Sequence, residues 1–249
     1  MMRAMTTLER AEAAERAMSE ELDRVIVKSV LYTSGELDPT KPVQRPPDGG
    51  RRYLMGPDPR LPKMPEKPAI LDFFKYRFAP ANHLLQSARL AQKNGASEKI
   101  VLACLLHDIA IAGFIRSDHG YWAAQLLEPY VDEEITWAIR YHQALRFFAD
   151  ESVGYRYPDM YVKLFGPDYK PEPHIERAYK EARAHKWYMS SRLICVNDLY
   201  SFDPNLQVRL EEFTDIVGRN FKQPKEGLGF DGSPVAHMWR TIIAPTKYL

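Results

Sequence analysis

The sequence predicts an all-α helical bundle with a long proline-rich N-terminal arm and an irregular C-terminal tail. Three observations lead there. Apolar residues between 80 and 200 recur at spacings of three and four. The segments that carry them open on capping residues and stop at Gly or Pro. No stretch alternates polar and apolar residues over any length, and no internal repeat is present.

Residues 5–31 are rich in Ala, Glu, Arg and Leu and favour a helix. Residues 33–68 hold nine of the nineteen prolines, with Gly49, Gly50 and Gly56. Such a stretch forms no regular element, and its expected role is a lid or an interface between copies of the chain. From Pro80 the pattern is helical: His83, Leu84, Ser87 and Leu90 share a face and Gly95 stops the helix. Ser97 and Glu98 open the next helix. Asp118 caps a third, which runs through Leu127 and ends at Pro129. Asp132, Glu133 and Glu134 open a fourth, with Ile135, Ile139 and His142 on one face. Residues 151–174 read as irregular. A single long helix is expected over 175–200, with Trp187, Ser191, Ile194, Cys195 and Asp198 on one face, then a short helix at 205–220 and an irregular tail containing Trp239. The chain thus divides into 1–69, helix plus arm, and 70–249, the bundle with its extension.

Composition excludes several roles. With 34 basic and 33 acidic residues, the chain lacks the charge excess of a nucleic-acid or membrane-surface binder. No apolar run approaches the roughly 18 residues that span a bilayer. The charged N-terminus does not read as a secretory signal. Cys104 and Cys195 each precede a candidate metal ligand by three residues and read as small core residues of a cytoplasmic protein, with no disulfide.

The chemistry lies in KIVLACLLHDIA. Its His107-Asp108 pair follows an apolar helix, where polar groups are costly unless paired or bound to metal. With His83, His119, His142 and Asp198 it gives the order H, HD, H, H, D at intervals of 24, 12, 23 and 56 residues. Taken singly, each member has a structural reading: His119 as a helix start, His142 as a surface histidine, Asp198 as a helix end. Together they place four of the seven histidines in one helical pattern, facing inward from separate helices, which is how bundles build metal sites. His174, His185 and His237 lie in polar or irregular segments and are read as structural. A carboxylate bridges two cations where a neutral imidazole does not, so Asp108 is the expected bridge. One metal then takes His83, His107, Asp108 and Asp198, and the other Asp108, His119 and His142. Nitrogen and oxygen donors without thiolate suit iron, manganese, cobalt or nickel. Two such ions, about 3.5–4 Å apart, clamp an oxyanion and activate bound water.

The pattern His83, His107-Asp108, Asp198 resembles the HD-domain superfamily of metal-dependent phosphohydrolases, and His119 and His142 make it similar to the six-ligand branch. That branch holds phosphoester hydrolases and mixed-valent di-iron oxygenases, the latter of the myo-inositol oxygenase and phosphonate-cleaving types. The stretches HLLQSARLAQKNGASEKIVLACLLHDIA and HGYWAAQLLEPYVDEEITWAIRYHQALRFF most resemble the phosphonate-cleaving oxygenases. The resemblance covers residues 83–200 and implies two metal ions, iron first among them, and dioxygen as co-substrate. It implies oxidative cleavage or hydroxylation of a small hydroxylated, anionic substrate such as a phosphonate or a polyol. The alternatives are hydrolysis of a small phosphoester or nucleotide, and a non-catalytic ligand-binding HD domain. The sequence departs from these relatives in three places. Where many hydrolases continue HD-x-G-K, this chain has Ala110 and Ile111. No Tyr-x-x-Glu element precedes the first ligand in FFKYRFAPANH. The interval from His107 to His119 is shorter than in the phosphonate enzymes.

Arg146, one turn after His142, matches a basic position that the phosphonate enzymes use for the anion. Asp108 and Arg146 are therefore expected to carry the chemistry. The competing reading of Arg146 is a surface arginine on an exposed helix face. Lys75, Tyr76 and Arg77 precede the first ligand helix and are expected to line the mouth of the site. A homo-oligomer through the 33–68 arm is a further expectation.

Overall fold

The computed structural model describes residues 62–243 apart from 79, 80, 111–117, 200, 202 and 204, together with Ala13 and Ala17. The expected helix at 5–31 apart from Ala13 and Ala17, most of the 33–68 arm, Pro80 and Ile111 lie outside the described residues. Among the described residues the secondary structure is helical, with one isolated antiparallel bridge between Asp150 and Tyr155 and no strand. No described helix is long and apolar enough to cross a membrane.

Among the described residues 62–243, ten α-helices follow in order: α1 Ile70–Tyr76, α2 Ala81–Lys93, α3 Glu98–Leu106, α4 His119–Leu127, α5 Glu133–Leu145, α6 Asp159–Phe165, α7 Pro173–Ala184, α8 Tyr188–Leu199, α9 Thr214–Asn220 and α10 Ala236–Ile243. The apolar helix α3 is buried from Ile100 to Leu106 because α2, α5, α8 and α9 all pack on it. Helix α5 packs on α3, α4, α7 and α8. The small residues Ser87, Ala88 and Ala91 on the buried face of α2 let α3 and α8 approach closely.

Local chemistry sets two of the expected helix ends. Gly95 takes φ 73° and its amide and that of Ala96 close the end of α2 onto Gln92 O and Ala91 O. The Asp132 carboxylate accepts from Glu134 N at 3.0 Å at the start of α5. Ser97 and Asp118 occupy their N-cap positions, but their side chains make no capping bond.

Five expectations are corrected. Helix α1, ahead of the helix read from Pro80, is not among the helices expected from the sequence; Phe73 and Phe74 bury it against the core. The region 151–174 is not wholly irregular, since it holds the 3-10 turn Glu151–Val153 and α6. The single helix expected over 175–200 is two, α7 and α8. No Gly or Pro marks the break; His185 turns extended (φ −87°, ψ 147°) because its ring stacks on Trp137 at 4.2 Å and its Nδ1 accepts from Trp187 N. The segment expected as a helix at 205–220 is a 3-10 turn, Leu210–Phe213, followed by α9. The tail is helical from Ala236 to Ile243, because fully buried Trp239 packs edge-on to Phe73 at 4.7 Å. Burial of a ring that large outweighs the weak local propensity of the tail.

Candidate metal centre

Five helices or helix ends deliver the six polar residues singled out from the sequence. His83 comes from α2, His107 is the C-cap of α3 with Asp108 next to it, His119 opens α4, His142 sits in the last turn of α5 and Asp198 in the last turn of α8. All six are buried, His107, His142 and Asp198 completely. Their ligand atoms fall into two groups, each within 4.8 Å: His83, His107, Asp108 and Asp198, and Asp108, His119 and His142.

Asp108 divides its oxygens between the groups. Its Oδ2 lies 3.5 Å from His83 Nε2 and 3.4 Å from His107 Nε2. Its Oδ1 lies 3.1 Å from His119 Nε2 and 3.5 Å from His142 Nε2. Asp198 Oδ1 closes the first group at 3.0 Å from His83 Nε2 and 3.7 Å from His107 Nε2. His119 Nε2 and His142 Nε2 are 3.1 Å apart in the second.

His107 Nδ1 donates to Cys104 O at 2.7 Å and His142 Nδ1 to Ile139 O at 2.5 Å, which fixes the ring orientations and turns each Nε2 to the cluster as the atom that could bind metal. His107 Nε2, Asp108 Oδ1 and both oxygens of Asp198 are buried without a well-directed hydrogen bond among the described residues. Lone pairs packed against carboxylate oxygens in a dry interior repel one another unless a proton or a metal cation lies between them. Metal–nitrogen and metal–oxygen bonds of about 2.0–2.2 Å put neighbouring ligand atoms about 3.0–3.5 Å apart, the spacing found here. The residues therefore fit metal ions. The two cysteines are not ligands: burial pushes both thiols up to about 12, and Cys195 donates its S–H to His142 O at 3.1 Å. The cysteines are free, as expected.

Charge is distributed accordingly. Burial works against ionising Asp108 and Asp198, but His107 and His119 beside the first, and Arg146 with His107 beside the second, hold both carboxyl groups well below the usual range. Burial is the main influence on His142 and pushes it down to about 4, so it is neutral. Burial opposes charge on His83 too, but hydrogen bonds to Asp108 and Asp198 outweigh it and raise its pKa to about 10. Metal-free protein thus carries a proton on His83 at neutral pH. Metal must displace it, so binding to the first group is expected to release about one proton per chain and to strengthen roughly tenfold per pH unit between neutrality and about 10. Calorimetric titration in buffers of differing ionisation enthalpy measures this release.

Arg146, the C-cap of α5, is buried at 6% exposure, not a surface arginine. Its Nη1 lies 3.0 Å from Asp198 Oδ2 and its guanidinium 5.2 Å from the Tyr161 ring. Lys75 and Tyr76 are exposed on α1, and Tyr76 lines a surface cleft with Lys63, Met64, Pro65 and Glu66 that contains none of the six cluster residues. Arg77 is not at a site mouth: its guanidinium caps the α10 carbonyls of Ile242 and Ile243. Of the other histidines, His174 and His237 are exposed, His185 stacks on Trp137, and none joins the cluster. A second cleft, of about 280 Å3, is lined by Asp118, Tyr121, Arg140 and Glu181 among others. None of the six cluster residues lines this cleft.

Gly120 was not singled out from the sequence, yet it sets the second group. A Cβ there would meet Ile139 O at 2.8 Å and His142 Cε1 at 3.1 Å. Glycine costs a helix about 0.5–1 kcal/mol relative to alanine, and here it admits α4 against α5. Gly120→Ala is expected to cost the protein one metal per chain, from the His119–His142 side, while the other stays; metal analysis of the purified variant checks this. The local signal was the dipeptide His119-Gly120 at a helix start.

Residues 81–182 match the family model for the HD domain. A [1-hydroxy-2-(trimethylamino)ethyl]phosphonate dioxygenase (glycine-betaine-forming) of Leisingera caerulea is 34% identical over a segment covering 26% of this chain and 39% of that protein. The chain thus spans well under half the length of this relative.

Proposed function

Since this chain carries an HD domain with a buried His/Asp cluster of metal-binding character, we propose that it is a di-iron oxygenase. It would use dioxygen to cleave or hydroxylate a small hydroxylated, anionic substrate. The observation that carries the proposal is the division of the Asp108 oxygens between two ligand groups, which suits two ions held side by side. When bound, such an ion pair supplies sites for a substrate oxygen and for dioxygen and accepts electrons from the substrate. The nitrogen and oxygen donor set suits iron, and the relative's dioxygenase activity supports iron over the manganese, cobalt or nickel that the same ligands accept.

The chain's own residues do the rest. His107 and His142 are held in one ring orientation by backbone carbonyls, so neither needs to reorient to bind metal. The burial of the cluster keeps bulk water from the reacting atoms. Arg146 presents a planar guanidinium beside Asp198, suited to two parallel hydrogen bonds with a phosphonate or carboxylate. Hydrolysis of a small phosphoester is the competing reading, and the HD domain by itself is equally compatible with it. Oxygen uptake that depends on a hydroxylated phosphonate or polyol, in iron-loaded protein, is the expected result. Turnover of phosphoesters with no substrate-dependent oxygen uptake would replace the oxygenase with the hydrolase.

A further inference from the structure

The carbonyls of α5 that face α8 are met by side-chain donors. Ser191 Oγ donates to Ala138 O at 2.8 Å, Cys195 Sγ to His142 O at 3.1 Å, Arg192 Nη1 to Leu145 O at 2.9 Å and the Tyr155 hydroxyl to Arg146 O at 2.9 Å. The last two hold the C-terminal end of α5, where helix carbonyls run out of backbone partners.

Arg192 is an expensive way to cap a helix. It is fully buried, and its nearest carboxylate, Asp150, is 3.9 Å from Nε. Burying an ion costs several kcal/mol, and a weakly paired one recovers little of that, so stability alone does not account for this arginine. Its surroundings form a closed frame. Arg192 Nε donates to the Tyr188 hydroxyl at 3.0 Å, and that hydroxyl donates to Asp150 Oδ2 at 2.5 Å. Asp150 and Tyr155 exchange backbone hydrogen bonds at 2.9 and 3.0 Å, and the Tyr155 ring faces the Arg192 guanidinium at 5.0 Å. What the frame holds is the backbone of Leu145 and Arg146.

We propose that Tyr155 and Arg192 are positioning residues for Arg146: by holding the last two carbonyls of α5 they set the guanidinium against Asp198 in the orientation that receives a substrate anion. This rests on the reading of Arg146 as the anion contact. Neither residue touches the ligand cluster, so their loss acts on anion binding and leaves the metals in place.

The test uses full-length, iron-loaded protein titrated with methylphosphonate and with inorganic phosphate, followed by calorimetry and by the absorption of the metal centre. Metal content is measured on the same samples. Tyr155→Phe removes one hydroxyl and keeps the ring. It is expected to retain two metals per chain and to bind methylphosphonate on the order of tenfold more weakly, the effect of one lost hydrogen bond. Arg192→Lys keeps a donor near Leu145 O and is expected to bind more tightly than Arg192→Met. If Arg192→Met does not fold, Tyr155→Phe decides alone. A Tyr155→Phe protein with a lower melting temperature and wild-type anion affinity overturns the positioning role and leaves the anion-binding reading standing. Wild-type protein that binds neither anion overturns the anion-binding reading itself, and the positioning role with it.

Discussion

Asp108→Ala is expected to empty both halves of the metal centre at once, whereas His119→Ala and His142→Ala each leave one ion bound. The asymmetry follows from geometry. Asp108 is the single residue common to the two ligand groups, with Oδ2 facing His83 and His107 and Oδ1 facing His119 and His142. Groups that merely orient a metal ligand are worth about 10–100-fold in affinity, so loss of a shared ligand exceeds that at both sites. Asp108→Asn keeps the shape and removes the charge, and it is expected to behave like the alanine variant. Metal content after equilibrium dialysis against excess ferrous iron separates the outcomes. One ion retained in Asp108→Ala would mean that the two groups do not share this carboxylate.

The second large effect is at Arg146. Arg146→Met is expected to lower kcat/KM by about 100-fold, the scale of one or two charge-assisted hydrogen bonds to an anionic substrate. It is also expected to destabilise the protein unequally in its two states. Arg146 Nη1 lies 3.0 Å from the buried carboxylate of Asp198, and removing one partner of a buried ion pair costs about 3–5 kcal/mol. A bound metal supplies the missing positive charge. The variant's melting temperature should therefore fall far more without metal than with it. Calorimetric scans of the metal-free and metal-loaded variant measure the difference, and an equal drop in both would show that Asp198 does not depend on Arg146 for charge.

The cluster was legible in the sequence because its members are costly where they stand. His107 and Asp108 follow seven consecutive buried residues of α3, and only pairing or metal makes that position tolerable. The two groups of residues expected from the sequence are the two in which the potential ligand atoms lie together, with Asp108 in both. Residues whose roles arise between helices were not legible. Gly120 matters because of how near α4 lies to Ile139 and His142, and Arg192 because Leu145 O of another helix needs a donor. Neither relation leaves a periodic trace. The break between α7 and α8 has the same origin, for His185 leaves the helix to stack on Trp137, some fifty residues away in sequence. Arg146 admits a surface reading in the sequence because one turn of helix past His142 does not reveal whether α8 and α6 cover it.

As a di-iron oxygenase the protein would hold a pair of iron ions that share Asp108 as a ligand. Low-temperature EPR on anaerobically iron-loaded protein after partial oxidation, with metal analysis of the same sample, tests it most directly. Two irons per chain and a signal from an antiferromagnetically coupled Fe(II)/Fe(III) pair are the predicted result. A single iron per chain with no coupled signal, or selective uptake of manganese or nickel in its place, would contradict it.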